Sequence, residues 1–299
     1  GRATNLLPAE RPQDVYQAVA DRVLSLVQAD LVASDANTRW LAQAWIDTGL
    51  VKRKLVKRST MTFVYGSKLF GMRNQTDEFL LGFPETRRIF TDASGTSRSA
   101  DAYLYIARHI WTALQHNVVA AAEGMKWMQD CARLVTSTTN QPIKWVVPAT
   151  EFMVQQEYYI ATHGQIKTVL AGQVIQPSVY VATRDVLVHR QTNAIAPNVV
   201  HSLDAACLML TVVRARAAGV TSFGMIHDSY ATVPADVERL AKATREAFVE
   251  FYQQHDIIAV LRDAFAQYLS DPTETPLPDA PSRGSLDITG VLSSLYFFS

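Results

Sequence analysis

The spacing of apolar residues switches near Lys144 and switches back near Ala196, which limits the folds open to this chain. Upstream, Val15, Val19, Val23, Leu26 and Val27 recur at helical spacing behind a start signal at Pro12 and Asp14. Asn37 to Asp47 predicts a second helix with Trp40, Leu41 and Trp45 inward. Ser99 to about Ser137 predicts one long helix carrying Ile106, Ile110, Leu114, Val118 and Met125 on one side. Then the period becomes two. Trp145-Val146-Val147 and the series Phe152, Val154, Gln156, Tyr158 read as strands. The stretch from Gln165 to Val188, with Val169, Val174, Ile175, Val179, Val181 and Val186, reads as an extended hairpin. Ala196-Pro197-Asn198 is expected to open a helix to about Ala218. Phe223 to Ile226 and Tyr230 to Val233 form two short strands around a tight polar turn. Pro234-Ala235-Asp236 begins a further helix with Asp236 as its N-cap, and Pro272 to Pro281 is a linker. The predicted class is α+β, mostly helical.

With 299 residues, 48% of them hydrophobic, the chain can bury one large core or two small ones. Lys plus Arg and Asp plus Glu are both 28, so net charge gives no argument for nucleic acid. A local basic stripe could still carry such a field. Cys131 and Cys207 stand far apart in apolar helical surroundings without metal-ligand spacing, which predicts two buried reduced thiols. No signal peptide and no long uncharged apolar run is visible, which favours a soluble chain without a membrane segment. The start at Gly1-Arg2-Ala3 suggests a piece of something longer.

Three constellations carry chemistry. Arg53, Lys57, Met61 and Tyr65 follow one another at intervals of four and end at Gly66, so one helix face presents two cations and then a phenol. Fixed cations suit a triphosphate and the charge that develops on a transferring phosphoryl group. The plain alternative is a solvated basic helix anchored by Tyr65. His227-Asp228-Ser229, between two apolar strands, would project a carboxylate suited to a hard divalent cation, or would be an ordinary polar turn. His201 and Asp204, three apart on one helix face, would pair carboxylate with imidazole, or would be a core histidine and its partner.

Taken together and in order, KRSTMTFVYGSKLFG (57 to 71), IAPNVVHSLDA (195 to 205) and IHDSYATVPAD (226 to 236) resemble the single-subunit DNA-directed RNA polymerases of bacteriophages, a family that mitochondria share in diverged form. GRATNLLPAE at the start, EFMVQQEY at 151 to 158 and GSLDITGVL near the end extend the resemblance over essentially the whole chain. It implies the C-terminal fingers and palm portion of a right-hand polymerase. Asp228 would be the second metal-binding aspartate of a two-Mg²⁺ site, with His227 beside it. Arg53 and Lys57 would hold the incoming ribonucleoside triphosphate. Tyr65 would select the ribose, Gly66 would lie close to the template base and His201 would approach the sugar. Residues 51 to 71 would be the nucleotide-binding helix, 165 to 188 the promoter-specificity hairpin and 223 to 236 the metal-site hairpin. The C-terminal aromatics would pack near the active site. The implied partners are DNA template and promoter, nascent RNA and the N-terminal remainder of the polymerase; the implied location is the cytoplasm of an infected bacterium.

The chain departs from the family at several points. The other metal aspartate belongs to a palm motif upstream of the position matching Gly1, so this chain alone is expected to be inactive. Gln155 stands where the family would have tryptophan, and the tail YFFS is looser than usual. Related DNA polymerases usually carry an aromatic at the position of Met61 and a second carboxylate after His-Asp; Met61 and Ser229 favour RNA synthesis. The rival from another class is a non-catalytic remnant, or one half of a split enzyme.

Overall fold

The computed structural model describes residues 8–270 and 274–297. The opening residues 1–7, Pro272 and the last two residues of the tail, which entered the reading above, lie outside the described residues. Two compact units divide the chain: residues 8–125 with 284–297, and residues 126–270 with 274–283.

The first unit is helical. α1 (Val15–Asp30) starts where Asp14 accepts from the backbone N–H of Tyr16 at 2.9 Å and of Gln17 at 3.1 Å. This is the capping that a first turn with orphan donors requires. α2 (Ala36–Thr48) is capped likewise by Asp35 and stops at Gly49, whose φ of 61° suits glycine. α3 (Arg53–Phe63), α4 (Leu69–Leu80), the single turn α5 (Thr86–Ile89) and α6 (Ser99–Asn117) follow. Val19, Val23, Val27, Trp45, Val56, Phe63, Ile106, Ile110 and Leu114 are each almost fully buried in one core. The Trp45 indole is not left unsatisfied there: it donates to the Ala102 carbonyl at 2.8 Å. Trp40 is only partly buried, packed at the margin of this core.

The long helix expected from Ser99 is two. α6 ends at Asn117, Val118 adopts φ −125° and ψ 41°, and α7 (Val119–Thr139) begins anew. Asn117 and the β-branched pair Val118-Val119 are weak helix formers, which makes this the cheap place to break.

The second unit carries the strands, which the described residues arrange as four antiparallel ribbons. β1 (Ile143–Val147) pairs with β2 (Phe152–Gln156); Ile143, Trp145 and Val147 are buried and the residues between them exposed. β3 (Tyr159–Gln165) pairs with β6 (Ser178–Val186), and between them β4 (Thr168–Leu170) pairs with β5 (Gln173–Ile175). The hairpin therefore starts six residues before Gln165. Its tip, Ala171-Gly172, has φ of 50° and 79°, the pair of positive values that a two-residue turn with the right twist demands.

α8 (Val188–Ala217) corrects the expected start at Ala196: it begins eight residues earlier and carries Pro197 in its interior. Proline is favoured in a first turn, hence the misplaced start. Inside a helix it removes one hydrogen bond and crowds the preceding turn. Here Gln191, Thr192, Ile195, Ala196 and Val199 are buried on both sides of it, so packing holds the helix through the defect. α8 is also long and apolar enough to cross a membrane by length and composition alone, although Asp204 keeps it from being an uncharged run. Its apolar residues pack on α9 (Val237–Gln254), β1 and β2.

β7 (Gly224–Ile226) and β8 (Ser229–Ala231) make a hairpin ahead of α9, and α10 (Ile257–Ala266) completes the described α-helices. Asp236 occupies the N-cap position of α9 but makes no capping bond. A 3₁₀ turn, Pro234–Asp236, precedes the helix, and the Asp236 carboxylate instead pairs with Arg239 at 2.7 Å. The proline-rich stretch is not merely a linker, because the Pro278 carbonyl accepts from the Trp127 indole at 3.1 Å.

Candidate nucleotide-binding and metal-binding residues

On α3, Leu55, Val56, Ser59, Thr60 and Phe63 are buried, and Arg53, Lys57 and Met61 are exposed on the opposite face. Tyr65 continues that exposed row but lies beyond the helix. Gly66 N–H donates to the Phe63 carbonyl at 2.9 Å and Ser67 N–H to the Thr62 carbonyl at 3.0 Å. With φ of 87° at Gly66, these two bonds make a Schellman motif, which only a residue without Cβ enters cheaply. The expected helix from 51 to 71 is thus α3, a glycine-closed turn presenting Tyr65, and the start of α4 at Leu69.

Arg53 and Lys57 both sit over the Tyr16 ring of α1, with Arg53 Cζ at 5.2 Å and Lys57 Nζ at 5.8 Å from its centroid. Arg53 Nε also pairs with Asp14 Oδ2. Burial works against the charged form of the Asp14 carboxyl, but Arg53 and the two capped N–H groups outweigh it and hold it below the usual carboxylate range. The sequence reading used Asp14 only as a helix start. Its contact with Arg53, 39 residues away, leaves no local signal.

In the second unit, Ile226 pairs with Ser229, so His227 and Asp228 alone form the turn. His227 takes φ of 51°, an uncommon conformation that histidine and aspartate enter more readily than most residues. The hairpin rests on Phe223, Met225 and Tyr230, which pack against Ala215, Val220, Leu240 and Ala243. Both turn residues are exposed. The packed strands therefore hold a carboxylate out at the end of a rigid ribbon.

His201 is exposed on α8, and Asp204 one turn on is half-buried. The Asp204 carboxyl is raised above its ordinary range, first by burial and then by the negative charge of Asp228; His201 and His227 act in the opposite direction. The structure thus brings His201, Asp204, His227 and Asp228 within electrostatic reach. Asp204 is not simply the partner of His201 that its spacing suggested.

Under His201 lies a buried polar lattice that the sequence reading missed. Gln156 Nε2 donates to the backbone carbonyl of Gln191 at 2.8 Å and to its Oε1 at 2.6 Å; Gln191 Nε2 returns a bond to the Gln156 carbonyl at 2.6 Å. Asn198 Nδ2 donates to Gln156 Oε1 at 2.9 Å, and the Trp145 indole donates to Ser202 Oγ at 3.2 Å. These bonds bolt β1 and β2 to α8 on either side of Pro197. Gln155, where tryptophan was expected, is exposed and bonds Glu157. Both cysteines are buried free thiols, each pushed up to about 12 by burial, first of all, and by a neighbouring aspartate. Phe297 is buried, and the Tyr296 hydroxyl donates to the Glu10 carbonyl at 3.3 Å.

Mg²⁺ takes near-octahedral oxygen ligands and is commonly held by one or two carboxylates, with waters and phosphates completing the shell. Asp228, a carboxylate exposed at its turn, fits one such position. Among the described residues no group of three or more His, Cys, Asp or Glu side chains forms a ligand set, and burial of Asp204 opposes the charged form that Mg²⁺ needs. The donors fit one corner of a site, not a self-sufficient one.

A family model described as DNA-dependent RNA polymerase matches residues 1–276. The chain is 34% identical over 335 residues to T7 RNA polymerase of Escherichia phage T7, and 33% identical over 336 residues to the DNA-directed RNA polymerase of Enterobacteria phage T3. In both cases all of this chain aligns but only 37% of the relative, so it spans little more than a third of these phage enzymes. It is 37% identical over 297 residues to DNA-directed RNA polymerase 2A of Nicotiana tabacum, covering 99% of this chain and 84% of that protein. These matches run through the α3 face, α8 and the His227-Asp228 turn alike, and the chain belongs to the single-subunit, T7-like DNA-dependent RNA polymerase family.

Proposed function

We propose that the chain takes part in template-directed RNA synthesis, transferring nucleotides from ribonucleoside triphosphates on a DNA template. The observation that carries this reading is the exposed row Arg53, Lys57, Met61, Tyr65, opposite the buried face of α3 and closed by the Gly66 turn. Arg53 and Lys57 bind phosphates, the guanidinium as a fork and the ammonium as a compact charge. Tyr65 stands at the ribose, with Gly66 leaving room for the template base. His201 approaches the sugar. Asp228 is one carboxylate of the Mg²⁺ site, and His227 stands beside it. When bound, Mg²⁺ supplies charge stabilisation to the transferring phosphoryl group. The rest of the enzyme supplies the second metal aspartate.

Tyr65→Phe tests the reading, because it keeps the ring and removes only the hydroxyl. A phenol that exchanges a hydrogen bond with the 2′-oxygen contributes about 1–3 kcal/mol, so the ribo-to-deoxyribonucleotide ratio of kcat/KM should fall about 5- to 150-fold. An unchanged ratio, measured on paired nucleotides in the complete polymerase, would make Tyr65 a packing residue only.

The exposed hairpin from β3 to β6 is proposed to read promoter bases in the major groove. Exchanging residues 166–176 should change promoter preference and leave elongation on a tailed template nearly intact. Each lost base contact weakens discrimination by about 1–3 kcal/mol. Unaltered promoter choice after the exchange would remove the hairpin from recognition.

A further inference from the structure

Asp14 divides its two oxygens between two tasks. Oδ1 caps α1 through the N–H groups of Tyr16 and Gln17, and Oδ2 pairs with Arg53 Nε. The pair is partly exposed, with 46% of the Arg53 and 35% of the Asp14 side chain open to solvent. An ion pair so placed contributes little to stability. It does constrain where the guanidinium lies, together with the Tyr16 ring beneath both Arg53 and Lys57.

A carboxylate beside a phosphate-binding arginine can compete with the phosphate or aim the arginine at it. A competitor would grip the fork with both oxygens. Here one oxygen meets Nε alone, and the other is committed to backbone. The terminal nitrogens of Arg53 have no hydrogen-bond partner among the described residues. A phosphate can therefore join the guanidinium without displacing Asp14.

We infer that Asp14 is a positioning residue for the incoming triphosphate, holding Arg53 by Nε so that its terminal nitrogens face the phosphates. This rests on the assignment of Arg53 and Lys57 to the triphosphate. Fixing a rotamer-rich side chain before binding removes part of the ordering cost from the binding step. Because Asp14 acts through Arg53 and touches no reacting atom, its loss appears in KM and not in kcat.

The experiment is a double-mutant cycle in a transcription-competent polymerase containing this chain. Asn caps helices as well as Asp, so Asp14→Asn keeps α1 intact and removes only the grip on Arg53. Asp14→Ser, a second capping residue too short to reach Arg53, should reproduce it. Each is expected to raise KM for nucleoside triphosphates about 5- to 10-fold, with kcat within about twofold and the melting temperature nearly unchanged. In an Arg53→Ala background Asp14→Asn should add nothing. An equal rise in that background would show that Asp14 acts through the fold, and an unchanged or lowered KM in Asp14→Asn alone would make it a bystander or a competitor; each result overturns the inference. If Arg53→Ala itself raises KM while Asp14→Asn does not, only the role of Asp14 falls. If Arg53→Ala leaves KM unchanged, the triphosphate assignment falls, and the role of Asp14 with it.

Discussion

Asp228→Asn is expected to lower kcat for nucleotide addition about 10³-fold or more in the complete polymerase, a loss of at least ~4 kcal/mol of transition-state stabilisation. Asparagine matches aspartate in size and is equally at home in a tight turn. The side chain is exposed, so no packing is lost, and the strands that set the turn are held by Phe223, Met225 and Tyr230. Only the negative charge disappears, and with it the ligand that a hard cation prefers. Melting temperature and DNA affinity should therefore match the parent. Turnover within tenfold of the parent would show that the turn is structural and that the cation is held elsewhere.

Gln191→Leu is expected to destabilise the protein by about 2–4 kcal/mol. Leucine fills a similar volume, so the effect isolates the hydrogen bonds. Gln191 is fully buried, and Gln156 opposite is 2% exposed. The change strips Gln156 Nε2 of its 2.6 Å acceptor and the Gln156 carbonyl of a 2.6 Å donor, and burial shields both from solvent. A urea midpoint that falls at constant slope would report this loss. The exposed neighbour provides the control: Gln155→Ala should stay within about 0.5 kcal/mol. Since the same lattice holds α8 three residues before His201, Gln191→Leu should also weaken whatever His201 contributes to synthesis. Equal stability in the two variants would mean that the lattice is dispensable.

Local chemistry was readable where it is encoded in a few adjacent residues. The cap at Asp14, the apolar stripe of α1, the alternation in β1 and the exposed row on α3 all follow from short-range periodicity and turn chemistry. The contiguous stretches 57 to 71, 195 to 205 and 226 to 236 were enough to suggest the family, and the comparisons confirmed it. The Asp228 turn was legible for the same reason: two short strands and a two-residue loop specify one another.

Tertiary structure decided the rest. Pro197 reads locally as a helix start, but buried side chains before and after it carry α8 through. Asp236 reads as a cap, but a nearby arginine captures its carboxylate. Asp204 lies 24 positions from Asp228 and Asp14 lies 39 from Arg53, so neither relationship has a signature in spacing. Gln156 and Gln191 look like ordinary polar residues of a strand and a helix until packing removes their water and leaves each the other's partner. The sequence by itself determined the periodic elements and the family motifs, because these depend on neighbours along the chain. Which charged and polar groups face one another depends on distant segments meeting, and only the folded chain settles that.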